Sequence, residues 1–286
     1  MDTGLVQRVA RFAPAWLRYT LTLSEAVRSG ATWVIASGDD IALWETDAGV
    51  VMPMWPTRDL AAELLEDAQS KPAPVSVDDL DSLLPFLVDA DSSVTLFPNG
   101  DDDIVVEPTA VAEDLADFVA EPTDVAGQLT QPPAEAVYDE WALIEAPKVE
   151  DESPEVETFA HCDAPATGDR YADALAIASA GGALWLLDVP AEDAVVGIVL
   201  DDRPGLALFS SEAAARDYGE RVDGEVSPRG IDIDTLVRRW LLVAYGGRWA
   251  IAISPDAETA TFVEPSRFAL DTAEAQASAQ TQIAAP

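Results

Sequence analysis

The sequence predicts an α+β fold of two tandem related domains, each a mainly antiparallel sheet with two or three helices. Three observations carry this. Short hydrophobic runs bounded by Gly and Asp turns alternate with stretches whose apolar residues recur at helical spacing. The same order of elements comes round twice, first at an offset of 152 residues. Between the two copies lies a stretch so rich in proline and acid that it offers little apolar area to offset its chain entropy.

Residues 1–15 read as an amphipathic lead, with Leu5, Val9 and Phe12 at helical spacing before Pro14. The first domain spans 16–120. Arg18 to Ser29 has helical spacing and stops at Gly30, which suits a left-handed cap. Thr32–Ala36, Ile41–Glu45 and Val50–Met54 then read as an antiparallel meander, separated by Gly38-Asp39-Asp40 and Asp47-Ala48-Gly49. The third strand ends at Trp55-Pro56, and Thr57 is placed to cap a helix carrying Arg58, Leu60 and Leu64. Pro53 cannot donate to a ladder, so its strand is expected at an edge or bulged. A helix over 77–88, a hairpin of 94–97 and 104–106, and a last helix after Glu107-Pro108-Thr109 complete the domain.

Residues 121–168 read as an acidic, Pro-rich linker, with twelve acids against one lysine. One aromatic, alternating island, Val137 to Ile144, has the pattern of a strand pinned on a neighbouring sheet edge. The second domain, 169–272, repeats the first. Arg18-Tyr19 matches Arg170-Tyr171, Gly30 matches Gly182 and Trp33 matches Trp185, all 152 residues on. Trp55-Pro56-Thr57-Arg58 aligns with Phe209-Ser210-Ser211-Glu212 at 154, and Glu107-Pro108-Thr109 with Glu264-Pro265-Ser266 at 157. The drift runs in one direction and falls in loops, as in a diverged duplication. Residues 273–286 read as a disordered tail.

The segment Val51-Met52-Pro53-Met54-Trp55-Pro56-Thr57-Arg58-Asp59 follows a Trp-bearing strand and precedes a Val-Thr-Leu-Phe-Pro hairpin strand. In this it resembles an uncharacterised bacterial family with a central apolar-P-x-W-P-x-R-[ED] motif, related to the N-terminal domains of SseB-type proteins. The resemblance covers about Tyr19 to Phe118 and implies a fold rather than an activity. The second copy lacks the Trp-Pro pair and the Arg, so whatever the corner does in the first copy its twin does not share.

With 53 acids against 16 cations the formal charge is −37. Such a surface repels nucleic acid and anionic membranes, and it speeds encounter with a basic protein. One cysteine, Cys162, rules out a disulfide framework within the chain and suits a reducing cytoplasm. No signal peptide or membrane span is read in the sequence. His161, the single histidine, lies beside Cys162 in the linker, where no rigid scaffold aligns a catalytic pair. No phosphate-binding loop, dinucleotide fingerprint, nucleophile elbow or zinc pattern is present, so neither cofactor nor metal is expected. Asp39-Asp40 and Asp101-Asp102-Asp103 read as solvated hairpin tips rather than calcium ligands. Trp33, Trp185 and Trp249 read as core. Trp55, Pro56 and Arg58 have the composition of an interface anchor and are the candidate partner contacts, set beside the simpler reading that Trp55 packs beneath its own helix.

These readings lead to a non-enzymatic, cytoplasmic interaction protein, adaptor or immunity-type, that binds a basic partner protein. A carboxylate- or metal-dependent enzyme and a mimic of nucleic-acid charge are the alternatives. The arginine-rich, lysine-poor cation set fits either a GC-rich genome or a high-salt habitat. A high-salt origin predicts that the thermal midpoint falls as salt is removed, which a melting series over sodium chloride concentration checks.

Overall fold

The computed structural model describes residues 2–38, 40–47, 49–63, 65, 70–99, 103–145, 167–192, 194–222, 224–256 and 258–284. The chain divides into two compact units, residues 1–127 and 128–286. His161, Cys162, Asp39, Asp101 and Asp102 lie outside the described residues. Among the described helices, none is long and apolar enough to cross a membrane.

The first unit opens with α1 (Thr3–Phe12), capped by the Asp2 carboxylate on the Gly4 N–H at 3.1 Å. Pro14 precedes α2 (Ala15–Ser29), and Gly30 ends it at φ 79°, the left-handed cap its position predicts. β1 (Ala31–Ser37), β2 (Asp40–Ile41), β3 (Trp44–Thr46) and β4 (Gly49–Met54) lead to α3 (Arg58–Glu63) and β5 (Ser70–Ser76). α4 (Val77–Asp89) is capped by the Ser76 hydroxyl, which accepts from the Asp79 N–H at 3.0 Å. β6 (Ser93–Leu96), β7 (Val105–Val106) and α5 (Pro108–Ala120) follow, and α6 (Val125–Thr130) carries the chain across residue 127.

These strands form two small sheets, β2-β1-β5 and β3-β4-β6-β7, rather than one. All ladders are antiparallel except β4 with β6. The expected strand over 41–45 is split, because Ile41 stays on β1 while Trp44 turns to β4. Met52, Met54, Val94 and Leu96 face Leu23 of α2, Leu80, Leu84 and Leu87 of α4, and Val111 and Leu115 of α5. Each such leucine, fully buried, contributes about 2 kcal/mol through transfer from water.

Pro53 is not on an edge strand, since β4 lies between β3 and β6. Its nitrogen points the same way as that of Trp55, toward β1 and β3, and pairing with β3 has already ended at Val51. No ladder bond is lost there. β5 is an element the sequence hides, because Pro72 and Pro74 argue against a strand. Both pair with β1 and both turn their nitrogens to the open side of an edge strand, where no donor is needed.

The second unit begins before the repeat, with β8 (Ala134–Val137) and β9 (Glu140–Glu145), both inside the stretch expected to be a linker. That boundary is corrected. Ala136, Tyr138 and Trp141 of the acidic stretch pack on the core of the second unit, and Ile144 is buried on the opposite face of β9. Then come α7 (Arg170–Ser179), β10 (Leu184–Val189), β11 (Ala194–Leu200), β12 (Arg203–Leu208), α8 (Glu212–Gly219) and β13 (Ser227–Ile231). α9 (Ile233–Thr235) runs through a π-helical turn, Leu236–Trp240, into α10 (Leu241–Gly246). β14 (Ala250–Ile253), β15 (Thr259–Val263) and α11 (Pro265–Ala284) complete the chain. The expected disordered tail is the continuation of α11, whose Ala, Gln and Glu favour helix and whose start is held by buried Phe268 and Leu270. Both units also carry more helices than the two or three expected per domain.

The sheet runs β13-β10-β11-β12-β14-β15-β8, with β9 also on β11, and only β12 and β14 are parallel. Several local bonds recur from unit to unit. Trp33 and Trp55 exchange N–H to C=O bonds of 3.0 and 2.8 Å, and Trp185 and Phe209 exchange two of 2.9 Å. Phe97 N–H donates to Met54 O at 2.7 Å and Ser254 N–H to Leu208 O at 2.6 Å, both donors at positive φ. Tyr19 donates to Asp114 at 2.6 Å, and Tyr171 to Asp271 at 2.8 Å.

Gly197, in β11, lies where β9 and β12 both approach. A Cβ there would stand 2.3 Å from Ile144 Cδ1 and 2.8 Å from the backbone oxygen of Gly205. The side chain can turn aside, but the carbonyl cannot. Gly197→Ala is therefore expected to destabilise the protein by about 2 kcal/mol. Gly205→Ala, whose Cβ would meet nothing closer than 3.4 Å, is expected to cost well under half of that in urea unfolding.

Candidate functional site

The predicted corner separates into a buried half and an exposed one. Trp55 is only 1% exposed and Pro56 is buried, whereas Arg58, at the first turn of α3, is exposed. Trp55 lies edge-on to Trp44 with ring centroids 5.6 Å apart. Its carbonyl takes both the Trp33 N–H and the Thr32 hydroxyl, the latter at 2.9 Å. Trp55 thus joins the two sheets of the first unit from inside, Pro56 is buried next to it, and a partner reaching this corner meets Arg58 alone of the three. The tryptophans read as core are the more accessible ones: Trp33, Trp185 and Trp249 are all half-buried. In β1 the fully buried neighbours Thr32 and Val34 occupy the other face.

Sequence reasoning missed Arg18. Its side chain is 1% exposed, yet its charge is fully engaged. Nε donates to Phe97 O at 2.9 Å, Nη1 to Ala13 O at 2.8 Å and Nη2 to Asp103 at 3.0 Å. The Asp103 carboxylate also accepts from the Asn99 N–H at 2.8 Å, and the Asn99 amide reaches Ala10 O at 3.0 Å. One guanidinium therefore ties the start of α2 to the β6–β7 connection, and Asp103 is occupied by an internal cation. The Arg-Tyr dipeptide repeated 152 residues apart was the signal available for it.

In the second unit Arg170 does related work at the surface. It donates to the Thr259 carbonyl at 2.9 Å and pairs with Asp256 in the β14–β15 turn. Burial pushes the Asp256 carboxyl up, but the N–H groups of Glu258 and Thr259 and the Arg170 charge outweigh it and hold the pKa at about 2. Tyr138 donates to the Asp256 carbonyl at 2.6 Å and meets the Tyr218 hydroxyl at 3.0 Å. Burial first, then the Tyr138 hydroxyl, raises the Tyr218 pKa. The Tyr19 and Tyr171 hydroxyls are raised in the same direction, chiefly by burial, with Asp114 and Asp271 adding to it. None of these phenols supplies a proton acceptor near neutral pH.

A cavity of about 150 Å³ opens beside Leu200, Ala250 and Phe262 in the second unit. It is smaller than the ~300 Å³ at which small-molecule sites begin. Its one cation, Arg203, forks onto Glu264 at 2.6 and 2.7 Å and also donates to the Arg248 and Trp249 carbonyls. Among the described residues no group of three or more His, Cys, Asp or Glu is placed to hold a metal ion.

Residues 19–115 match a family described as "Protein of unknown function (DUF2750)". The match lies within the first unit, the one with Trp55, Pro56 and Arg58. No curated protein matches the chain. Among solved structures the chain is similar to "Anabaena Tic22 (protein transport)", at 10% identity over 75% of this chain and 83% of that one, with a TM-score of 0.17.

Arg18→Ala is expected to cost about 3 kcal/mol, because it strands the Phe97 and Ala13 carbonyls at a buried site and takes the cation from Asp103. Arg170→Ala, at a side chain 25% exposed facing one 51% exposed, is expected to cost about 1 kcal/mol or less in the same urea titration. Acid supplies a second check. Asp256 has a folded pKa of about 2 against 3.8 unperturbed, so its contribution is complete above about pH 4 and is lost as pH falls toward 2. Asp256→Asn should flatten that part of the stability profile.

Proposed function

We propose that this chain is a non-enzymatic acidic interaction protein, of adaptor or immunity type, that binds a basic protein partner. The observation that carries the reading is on α4. Phe86 is 64% exposed and Val88 46% exposed, on a helix whose other outward residues include Asp78, Asp79, Asp81 and Asp89. A bare aromatic on a helix with exposed carboxylates suits a partner that brings an apolar pocket rimmed with Arg or Lys. Arg58 is the corner's remaining candidate contact.

We also infer that the two units descend from one duplicated ancestor. The reading is supported by the recurrence of the Trp33–Trp55 exchange as Trp185–Phe209 and of Tyr19–Asp114 as Tyr171–Asp271. A cytoplasmic setting for both units belongs to the same proposal.

The test is capture from native lysate at moderate salt, with Phe86→Ala as the paired bait. The expected result is a basic protein in stoichiometric amount whose affinity falls with salt and drops roughly tenfold for the variant, the loss of one interface anchor. Recovery of no basic protein overturns the reading. Equal capture by both baits removes α4 as the contact face.

A further inference from the structure

Residues 134–145 close the sheet of the second unit in a way the first unit lacks. β8 pairs along the outer edge of β15, from Ala134 opposite Phe262 to Val137 opposite Thr259. β9 pairs along β11, from Glu140 opposite Val199 to Glu145 opposite Ala194. Between them the Tyr138 N–H donates to Glu258 O at 3.2 Å and the Asp139 N–H to Val199 O at 2.8 Å. One short segment thus fills both edges of the array β11-β12-β14-β15. Its Ala136, Tyr138 and Trp141 pack on the cluster that contains Ile198, Ala252 and Phe262.

The first unit builds the same array as β3-β4-β6-β7, with the same antiparallel, parallel, antiparallel order. Registers agree as well. Trp44 pairs Val51 as Ile198 pairs Gly205, 154 residues on, and Thr95 pairs Val105 as Ala252 pairs Phe262, 157 residues on. Here, among the described residues, β3 and β7 are the end strands of the sheet, and no further strand is paired on either. Exposure follows. Ile198 and Phe262 are 0% and 8% exposed, while their counterparts Trp44 and Val105 are half-buried and 39% exposed, and Leu43 next to Trp44 is 43% exposed. Unpaired strand edges with bare apolar side chains are sites for strand addition.

Resting on the reading of the chain as a binder of basic protein, we infer that β3 and β7 of the first unit take an extended, lysine- or arginine-bearing strand of the partner, which closes the sheet as residues 134–145 close the second unit. Charge selects this occupant. The exposed acids at the two edges are Glu45 and Asp47 at β3 and Glu107 at β7. A second copy's own closing segment carries Glu135, Asp139, Glu140 and Glu145 and is repelled there.

The experiment uses the full chain and two synthetic peptides, one with the sequence of residues 134–145 and one with E135K, D139K, E140K and E145K in that sequence. Binding is followed by fluorescence titration, and backbone hydrogen exchange of the protein locates it. The lysine peptide is expected to bind and to slow exchange at residues 44–46 and 105–106 at least tenfold, while the acidic peptide leaves them unchanged. Leu43→Lys and Val105→Lys, at exposed positions, should keep the unfolding midpoint and weaken the lysine peptide at least tenfold. Protection elsewhere on the chain, or undiminished binding by both variants, overturns strand addition and leaves the acidic-binder reading standing. Equal binding of the acidic peptide at the same amides overturns the basic occupant in favour of a second copy. If the lysine peptide does not bind, strand addition is overturned; if no basic protein is captured either, the broader reading fails with it.

Discussion

The first unit depends on one point where strands of two sheets are held together by a single exchange of backbone bonds, and the second unit repeats that exchange between strands already joined through β11. In the first unit this is Trp33 with Trp55, in the second Trp185 with Phe209. β1 and β4 belong to different sheets, so without that exchange nothing in the hydrogen-bond ladders joins β2-β1-β5 to β3-β4-β6-β7. The join sits in a dry place, with Trp55 1% and Thr32 1% exposed. Its bonds meet little competition from water, and the Trp55 carbonyl is held by two donors, Trp33 N–H and the Thr32 hydroxyl. From there the constraint spreads. Met54, next to Trp55, accepts from Phe97, and the Phe97 carbonyl accepts from Arg18. The strand crossing, the β6–β7 connection and the start of α2 are thereby fixed by three consecutive links.

The charge balance acquires a structural meaning from where the cations are used. Arg18 is consumed inside the first unit, and Arg28 pairs with Glu25. In the second, Arg170, Arg203, Arg216, Arg229 and Arg267 pair with Asp256, Glu264, Glu212, Asp188 and Asp271. A chain with 16 cations for 53 acids that ties so many of them internally presents its surface to partners as carboxylate. On the proposed reading, long-range attraction of a basic partner would be a property of the whole surface, while specificity would come from the few places where apolar side chains break through it. Phe86 and Val88 on α4, and Leu43 and Val105 at the sheet edges, are such places.

Periodicity and turn chemistry made most of the elements legible in the sequence. The helix expected over 77–88 is Val77–Asp89, and the cap expected at Gly30 is left-handed. Composition misled where it was read without pattern. Prolines hid β5, although proline costs nothing on the outer side of an edge strand. Acid and proline disguised β8 as linker, whereas the aromatic, alternating run Val137 to Ile144 did mark β9 as a strand on a sheet edge. For the candidate site, local sequence showed that the corner mattered but could not show its direction. Trp55 and Pro56 lead inward because β1 crosses above them, a contact between residues 22 apart that no local pattern reports. Arg18 was hidden for a similar reason, since its partners Phe97 and Asp103 are distant in sequence.

The difference between the two corners follows from what covers the sheet in each unit. In the second, Phe209 meets Tyr218 of α8 at 5.3 Å between ring centroids, and residues 134–145 add Ala136, Tyr138 and Trp141 to the same cluster. A phenyl ring suffices where so much else fills the space. In the first unit no such segment is supplied among the described residues, and the face is filled by the larger Trp55 against Trp44 from β3. Trp44 is itself half-buried, so the fill is incomplete at the edge. The Trp-Pro pair is on this account the packing solution of a sheet that closes itself only in part. It shows which copy of the sheet was left with open edges among the described residues, the copy to which the proposal assigns the partner strand.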